Sequence, residues 1–344
     1  QKRRHDMATS GTYSFSVTRD DIIREAMLNI GKLDVYGSID PVETADCARK
    51  LNMMVKTWMG TIDFAPGLKM WTRQRGDLFL SQTQYRYAIG PTGDNWAGGV
   101  TAIPGANFGT DQLSVSAAAA ATNIYTGVGS TSNFTAGDYA VIQLDSGDIF
   151  STTISSVTAV SGYVTIATGL PSAASSGNYI WNYTTKAQRP LDIVTAILRD
   201  DTNNDTPLNQ MTLQTYEALP NKTASDNLSD PTAIYYEAQI GTAGPGSSNG
   251  NLYIDCGGAQ DVSKQIHIVY LRPVQDFNNP LDNPEYPQEW YLALCWGLSK
   301  QVAPMFNAPW GQVQESLLQE ALAHARESNA ERTEIYFIPN AEYP

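Results

Sequence analysis

The acidic residues around position 285 are the candidates for a catalytic role. Glu285, Glu289 and Asp276 lie near one another in the sequence, and glycoside hydrolysis requires two carboxylates that flank the scissile bond. The sequence does not define their separation. Acidic residues beside Pro and Asn at a helix start are more typical of caps and helix-dipole partners, so we favour that interpretation and assign no catalytic residue.

The three histidines also lack the neighbours that catalysis needs. His5 lies in the N-terminal leader, His267 in a predicted strand and His324 on a predicted helix, where Glu320 and Glu327 at helical spacing indicate a solvated face. The chain contains no G-x-S-x-G motif, no P-loop and no G-x-G-x-x-G motif after a strand. We therefore predict that the protein is not an enzyme.

Two acidic pairs have the residue types of a calcium site, Asp145 with Asp148 and Asp200 with Asp201. Neither pair repeats the ligand spacing of a known calcium loop. Their Ser, Gly and Asn neighbours are typical of turns. The sequence therefore predicts no metal site and no cofactor.

The cysteines and the apolar runs indicate where the protein is made. Cys47, Cys256 and Cys295 are odd in number and have no C-x-x-C spacing or nearby His, so we interpret them as buried apolar residues. No apolar run approaches the length of about 20 residues that crosses a bilayer. We expect no membrane partner, and we expect that the protein is made and used in a reducing cytoplasm.

Composition divides the chain into a body and an insert. Residues 91–185 contain no Lys or Arg and only five Asp, in a background of Gly, Ser, Thr and Ala. Short β-rich pieces at 139–144, 149–157 and 163–167, separated by turn residues, predict a small all-β sandwich or barrel. We expect this inserted domain to interrupt one body, which is formed by residues 18–90 and 186–328.

The body has a mixed helix and strand pattern. Helical periodicity predicts helices at 20–30, 40–62, 287–304 and 312–328, with Thr18 and Asp40 as N-caps. Predicted strands occupy 68–74, 77–80, 85–89, 192–199, 234–239, 252–256 and 265–272. The expected fold class is α+β, with a helical bundle built from both chain ends, an antiparallel β meander and the inserted all-β domain.

Charge is distributed unevenly along the chain. Residues 1–90 carry 13 basic and 10 acidic side chains, 91–185 carry 0 and 5, 186–285 carry 6 and 13, and 286–344 carry 3 and 7, which gives the net charge of -13. Gripping duplex DNA requires clustered Lys and Arg, so sequence-specific DNA binding is not expected. An acidic surface suits a passage through which DNA slides, although on the sequence alone we favour the simpler interpretation that the charge keeps the protein in solution.

Several stretches of the body together carry a family resemblance. The chain resembles the head-to-tail adaptors of short-tailed double-stranded DNA bacteriophages, also called packaged-DNA stabilisation proteins or tail accessory factors. The resemblance covers most of residues 10–328 outside the insert, and residues 253–256 (YIDC) depart from it where relatives show a Trp-Pro pair. The matching stretches are 51–58 (LNMMVKTW), 189–193 (RPLDI), 216–222 (YEALPNK), 230–236 (DPTAIYY), 272–273 (RP) and 282–290 (DNPEYPQEW).

The resemblance implies a structural role in the virion neck. It implies a ring of identical subunits, commonly a dodecamer, that sits beneath the portal protein and extends the DNA channel. Such a ring retains the packaged DNA, lets double-stranded DNA pass without sequence specificity, and gives the tail nozzle or tail tube a platform. Closed rings need heterologous contacts between unlike faces, which a chain with several different elements can supply.

The two chain ends are predicted to be arms. Residues 1–17 form an N-terminal leader or arm, and residues 329–344 a C-terminal extended arm with the apolar run Ile335, Tyr336, Phe337 and Ile338. An extended apolar segment fits docking on a partner, and the resemblance implies that this partner is the portal. Packing of the arm on its own subunit is the alternative.

Two other function classes remain open on the sequence. A tail-associated peptidoglycan hydrolase would use Glu285 or Glu289, and a carbohydrate-binding adhesion module would use the inserted β domain. A zymogram and a glycan screen of residues 95–185 separate these hypotheses from the adaptor.

Overall fold

A computed structural model describes residues 12–60, 71–99, 108–238 and 249–328. It has both helices and several largely antiparallel sheets, so the protein is a mixed α+β protein. The chain divides into two compact units, a helical unit of Gln1–Thr72 with Val274–Pro344 and a β unit of Arg73–Pro273. The helical unit therefore contains helices from both the N-terminal and the C-terminal part of the sequence.

The elements of the described residues are numbered in chain order. The helices are α1 (Arg19–Asn29), α2 (Pro41–Gly60), α3 (Leu213–Glu217), α4 (Tyr291–Val302) and α5 (Gln312–Ser328). The strands are β1 (Arg73–Phe79), β2 (Arg86–Ile89), β3 (Trp96–Gly99), β4 (Gly109–Gln112), β5 (Asn123–Tyr125), β6 (Tyr139–Gln143), β7 (Ile149–Thr158), β8 (Tyr163–Ile166), β9 (Tyr179–Tyr183), β10 (Asp192–Arg199), β11 (Asp205–Pro207), β12 (Asn209–Gln210), β13 (Leu228–Ser229), β14 (Ala233–Glu237), β15 (Gly250–Ile254), β16 (Gly258–Ala259) and β17 (Gln265–Leu271).

The first two helices begin where the sequence predicts. Thr18 Oγ1 accepts a hydrogen bond of 3.2 Å from the Asp21 backbone N–H, and the Asp21 carboxylate accepts one of 2.9 Å from the Thr18 N–H. This reciprocal capping box satisfies donors that a helix start leaves free. At the start of α2, Asp40 Oδ1 accepts from the Val42 N–H at 2.8 Å.

Helix α4 is the central element of the helical unit. It contacts α1, α2 and α5, and seven of its twelve residues are buried. Its apolar side chains join one core with those of the other three helices, so burial of this core holds both chain ends in one unit. The core includes Ile22, Ile23 and Met27 of α1, Leu51 and Val55 of α2, Leu294 and Leu298 of α4, and Leu318, Ala321 and Ala325 of α5.

Apart from the separate pair of β13 with β16, the strands of the body form two sheets rather than a meander. One has the order β11-β10-β17-β1-β3 and the other the order β12-β14-β15-β2. The predicted meander is therefore wrong, because β1 and β2 from before the insert pair with β17 and β15 from after it. Both sheets bury one face in a shared core, which contains Leu78, Ile266 and Ile268 from the first sheet and Tyr87, Leu252 and Ile254 from the second.

Strand β1 runs without interruption through a position predicted as a break. The sequence suggests two strands ending and starting around Arg75 and Gly76, but both residues lie inside β1. A Cβ at Gly76 would lie 2.2 Å from the Trp96 indole. The glycine therefore makes room for the ring of a buried tryptophan on the neighbouring strand.

A six-stranded antiparallel sheet with the order β4-β9-β6-β7-β8-β5 occupies residues 109–183. Alternate residues of β6 enter two cores, as strand geometry requires. Ala140 and Ile142 join the core of this sheet, whereas Val141 joins Phe79 of β1 and Trp181 of β9 in an aromatic cluster. Strand β3 precedes this sheet and pairs with β1.

Candidate functional site

The portal-docking arm predicted from the sequence lies outside the described residues. This applies to Ile335, Tyr336, Phe337 and Ile338, and also to His5. The arm therefore stays a prediction.

The acidic loop before α4 lines an open polar pocket of about 380 Å³. Asp276 and Glu285 are among the lining residues, and Glu289 is not. Glu285 Oε2 accepts a hydrogen bond of 3.0 Å from the Gln275 N–H, and Asp276 forms an ion pair of 2.6 Å with Lys56. The described contacts of Asp276 and Glu285 are thus structural ones that shape the loop.

Helix α2 anchors this loop through polar side chains. Asn52 Oδ1 accepts from the Phe277 N–H at 2.9 Å, and Asn52 Nδ2 donates to the Phe277 carbonyl at 3.1 Å. Lys56 Nζ donates to the Val274 carbonyl at 2.7 Å. Asn52 and Lys56 belong to one of the stretches that carry the family resemblance, and they hold the segment that leads to another.

Asp200 and His324 behave as the turn and surface residues that the sequence predicts, whereas Asp145 bonds a segment 30 residues away rather than its own turn. Asp200 Oδ1 accepts from Thr202 and Asn204 within its own turn, and these bonds, that from the Asn204 backbone first, lower its pKa to about 2. Asp145 accepts from the Ser175 N–H at 2.8 Å. His324 is exposed, 3.8 Å from Glu320. Among the described residues no three His, Cys, Asp or Glu side chains converge as a metal-binding group.

The cysteines are free and buried, which confirms the interpretation from sequence. Burial raises the pKa of the Cys295 thiol to about 12, and burial together with nearby Glu43 raises that of Cys47 to about 11. Protonated, buried thiols are unreactive. These side chains therefore serve in packing.

A buried ionisable pair in the β unit was not expected from the sequence. His267 of β17 and Asp77 of β1 are register partners in the five-stranded sheet, their side chains are 1% and 0% exposed, and His267 Nδ1 contacts Asp77 Oδ1. The Phe108 ring stacks on the imidazole with centroids 6.3 Å apart. His267 Nε2 has no hydrogen-bond partner among the described residues.

Other charged side chains lie near this pair on the same face of the sheet. Arg75, two residues before Asp77, is 9% exposed, and Arg199 Nε donates to Asp205 Oδ1 at 2.6 Å. That hydrogen bond is the main reason why the pKa of Asp205 is lowered. The alternation of charged residues in β1 indicates a charged face of the strand. It does not predict which strand pairs with β1.

The helical unit exposes a large share of the apolar side chains. Eleven of the seventeen large apolar residues that are exposed in the described parts of the chain belong to it. Neighbouring apolar positions on one helix face form a continuous surface, as Val313 and Leu317 of α5 do. The eleven are Tyr13, Phe15, Val35, Tyr36, Val42, Met53, Leu281, Leu292, Met305, Val313 and Leu317.

Comparison with known proteins assigns no family. No family model and no curated protein matches the chain. Among solved structures the chain is similar to VP17, a capsid protein of bacteriophage P23-77, with 11% sequence identity over 58% of this chain and 82% of that chain and a TM-score of 0.12. A TM-score of this size carries no argument about fold or function. None of the described helices is long and apolar enough for a membrane span.

Proposed function

We propose that this protein is the head-to-tail adaptor of a short-tailed double-stranded DNA bacteriophage. Identical copies, twelve in the usual arrangement of such adaptors, form a ring beneath the portal protein in the neck of the virion. The ring extends the DNA channel, retains the packaged DNA and offers a platform to the tail nozzle. It assembles in the host cytoplasm, and its role is structural rather than enzymatic.

The observation that carries this proposal is the exposed apolar surface of the helical unit. Apolar side chains that adjoin on an exposed face are typical of interaction sites. This unit carries eleven exposed apolar side chains, of which Val313 and Leu317 adjoin on α5. A subunit that is buried between two neighbours in a ring needs such surfaces. A secreted enzyme that works as a monomer does not.

Two of the six stretches that carry the family resemblance, 51–58 and 282–290, lie in the helical unit, and the second supports the proposal through its place in the helical core. Trp290, at the end of one stretch, is fully buried, with its ring centroid 5.2 Å from that of Trp71 and 5.8 Å from that of Tyr286. At the start of the same stretch, the Asp282 carbonyl accepts from the Arg19 N–H at 2.8 Å. This stretch of the resemblance thus joins the C-terminal part of the helical unit to its N-terminal helix.

Within this proposal, α1, α2, α4 and α5 constitute the helical bundle of the adaptor body. Residues 91–185 correspond to the inserted all-β domain, except that β3 pairs with β1 of the body. The separate core of Ile124, Ile142, Ile154 and Val164 supports that assignment. Residues 329–344 act as the arm that docks on the portal.

The passage of DNA through the ring requires weak interaction with the phosphate backbone. The net charge of -13 supports this part of the proposal, because like charges reduce the attraction that would hold DNA in place. We expect that any binding of duplex DNA by the purified protein is weak and independent of sequence.

Co-purification tests the proposal. The adaptor assignment predicts that the full chain forms a stable complex with the portal protein of the same virus and shows no cleared zone in a peptidoglycan zymogram. A chain that never binds portal and clears peptidoglycan, with loss of clearing in the Glu285→Gln variant, would instead establish the hydrolase.

A further inference from the structure

Helix α2 has an outer face that no described element covers. Its inner side chains Cys47 and Leu51 are fully buried in the helical core. On the outer side, Val42 is 70% and Met53 is 52% exposed, and the side chain of Arg49 between them is 64% exposed. These three residues recur at intervals of seven and four, so they lie along one side of the helix.

Helix α5 has an outer face of similar form and opposite charge. Leu318 and Ala321 face the core, whereas Val313 is 72% and Leu317 is 40% exposed. The side chain of Glu320, three residues after Leu317, is 66% exposed. On this face two apolar side chains precede the charged one, whereas on α2 the charged Arg49 lies between the two apolar side chains.

The two faces match in spacing and in charge. Val42 precedes Arg49 by seven residues, and Val313 precedes Glu320 by seven residues, which is about 10.5 Å along a helix in each case. When the helices lie side by side in the same direction, valine meets valine and arginine meets glutamate.

The existing partners of the two charges do not prevent this pairing. Arg49 contacts Asp46 one turn away on its own helix, and Glu320 lies 3.8 Å from His324. Both contacts are at exposed positions, where ion pairs contribute little. Exchange of these partners across an interface therefore gives up little existing ion-pair energy.

We propose that the outer face of α2 in one copy packs against the outer face of α5 in the next copy. This contact joins unlike faces, so it is heterologous and repeats around a closed ring rather than ending in a dimer. The inference rests on the proposed function, because it specifies which surfaces join the adaptor subunits.

Cysteine cross-linking tests the contact directly. The native thiols are buried, so disulfides between subunits are expected only between the added surface thiols. The full chain with both Val42→Cys and Val313→Cys is oxidised under assembly conditions, with and without portal, and is expected to yield a ladder of covalent oligomers in which each step adds one subunit. Each single variant is expected to remain a monomer on a non-reducing gel.

Other results would overturn the proposed contact. A covalent dimer from Val42→Cys alone or from Val313→Cys alone means that like faces meet. A cross-link within one chain means that the subunit covers the face itself. Absence of any cross-link, while electron microscopy shows rings, means that other surfaces join the subunits and leaves the proposed function intact. Absence of cross-links and of rings with portal present overturns both.

A charge exchange gives an independent test. Arg49→Glu or Glu320→Arg alone places like charges together and is expected to weaken self-association about fivefold to tenfold, and the double variant is expected to restore it. Sedimentation velocity over a concentration series measures the change. Equal effects of Arg49→Glu with and without Glu320→Arg would contradict the pairing, and circular dichroism confirms that each variant is folded.

Discussion

Asp148 Oδ1 accepts a hydrogen bond of 2.7 Å from Ser81 Oγ, and this contact ties the turn between β6 and β7 to the segment that follows β1. Thr83 Oγ1 donates to the same oxygen at 2.7 Å, and the Gln82 N–H donates to the Gly147 carbonyl at 3.2 Å. The turn of the six-stranded sheet is therefore attached to the body by three hydrogen bonds. Asp148 and Asp200 belong to the two acidic pairs with the residue types of a calcium site. Asp148 serves instead in this attachment, and Asp200 stabilises its own turn.

Substitution of Asp148 is expected to loosen this attachment. Asp148→Ala removes a charged acceptor of two hydroxyl hydrogen bonds, and we expect the free energy of unfolding to fall by about 1 to 3 kcal/mol. Urea denaturation followed by tryptophan fluorescence measures the change. Asp226→Ala, at an exposed position of the same unit, is the matched control and is expected to change stability by less than about 0.5 kcal/mol.

Glu315 is expected to give the helical unit an acid-sensitive contact. Hydrogen bonds from Lys300, Trp310 and Gln319, in that order of importance, lower its pKa to about 2. A carboxylate with a lowered pKa in the folded state stabilises the fold above its unfolded pKa of about 4.5, and this contribution is lost as the pH falls through 2.

The Glu315→Gln variant isolates that contribution. We expect its melting temperature to lie below that of the unaltered protein at pH 6 and the difference to shrink as the pH approaches 2. Thermal unfolding followed by circular dichroism across this range measures both. A constant difference at every pH would mean that the carboxylate charge contributes nothing, and exposed Glu327 provides the control substitution, Glu327→Gln.

Local chemistry could be predicted from the sequence because it depends on neighbours in the chain. The capping box of Thr18 and Asp21 and the limits of β10 follow from residue type and alternation alone. The register that places Asp77 opposite His267 could not be predicted, since it depends on which distant strands pair. Gly76 was interpreted as a break for the same reason, because the ring that requires the glycine belongs to Trp96 on another strand.

The features of the candidate site fall into the same two groups, those that depend on neighbours in the chain and those that depend on distant elements. Burial of the cysteines and solvent exposure of His324 follow from residue type and periodicity. The outer faces of α2 and α5 could not be assigned, because helical periodicity does not say which of several apolar positions the rest of the unit covers.

The buried pair of Asp77 and His267 is expected to be essential to the stability of the β unit. His267→Ala leaves Asp77 buried without this partner and opens a cavity, so the free energy of unfolding is expected to fall by about 3 kcal/mol or more. Urea denaturation measures the loss. Asp192→Ala, at an exposed position of the same sheet, should have little effect, and an equally small effect of His267→Ala would show that the pair contributes no stability.

Removal of the C-terminal arm is expected to affect portal binding but not folding. Deletion of residues 331–344 removes the apolar run that includes Tyr336 and Phe337, and we expect at least a tenfold weaker complex with portal at an unchanged melting temperature. Pull-down with tagged portal over a concentration series measures the affinity. The matched control carries Val128→Ser and Val160→Ser, two exposed positions of the β unit. It is expected to bind portal as tightly as the unaltered chain. Equal binding by the truncated and full chains would assign portal contact to another surface.

We propose that copies of this chain form a ring in which helices from both chain ends surround a central channel. Electron microscopy of the purified full chain, alone and mixed with portal from the same virus, measures this directly. We expect closed rings seated on the portal, each with a central opening wide enough for duplex DNA. Particles that remain single subunits under both conditions would contradict it.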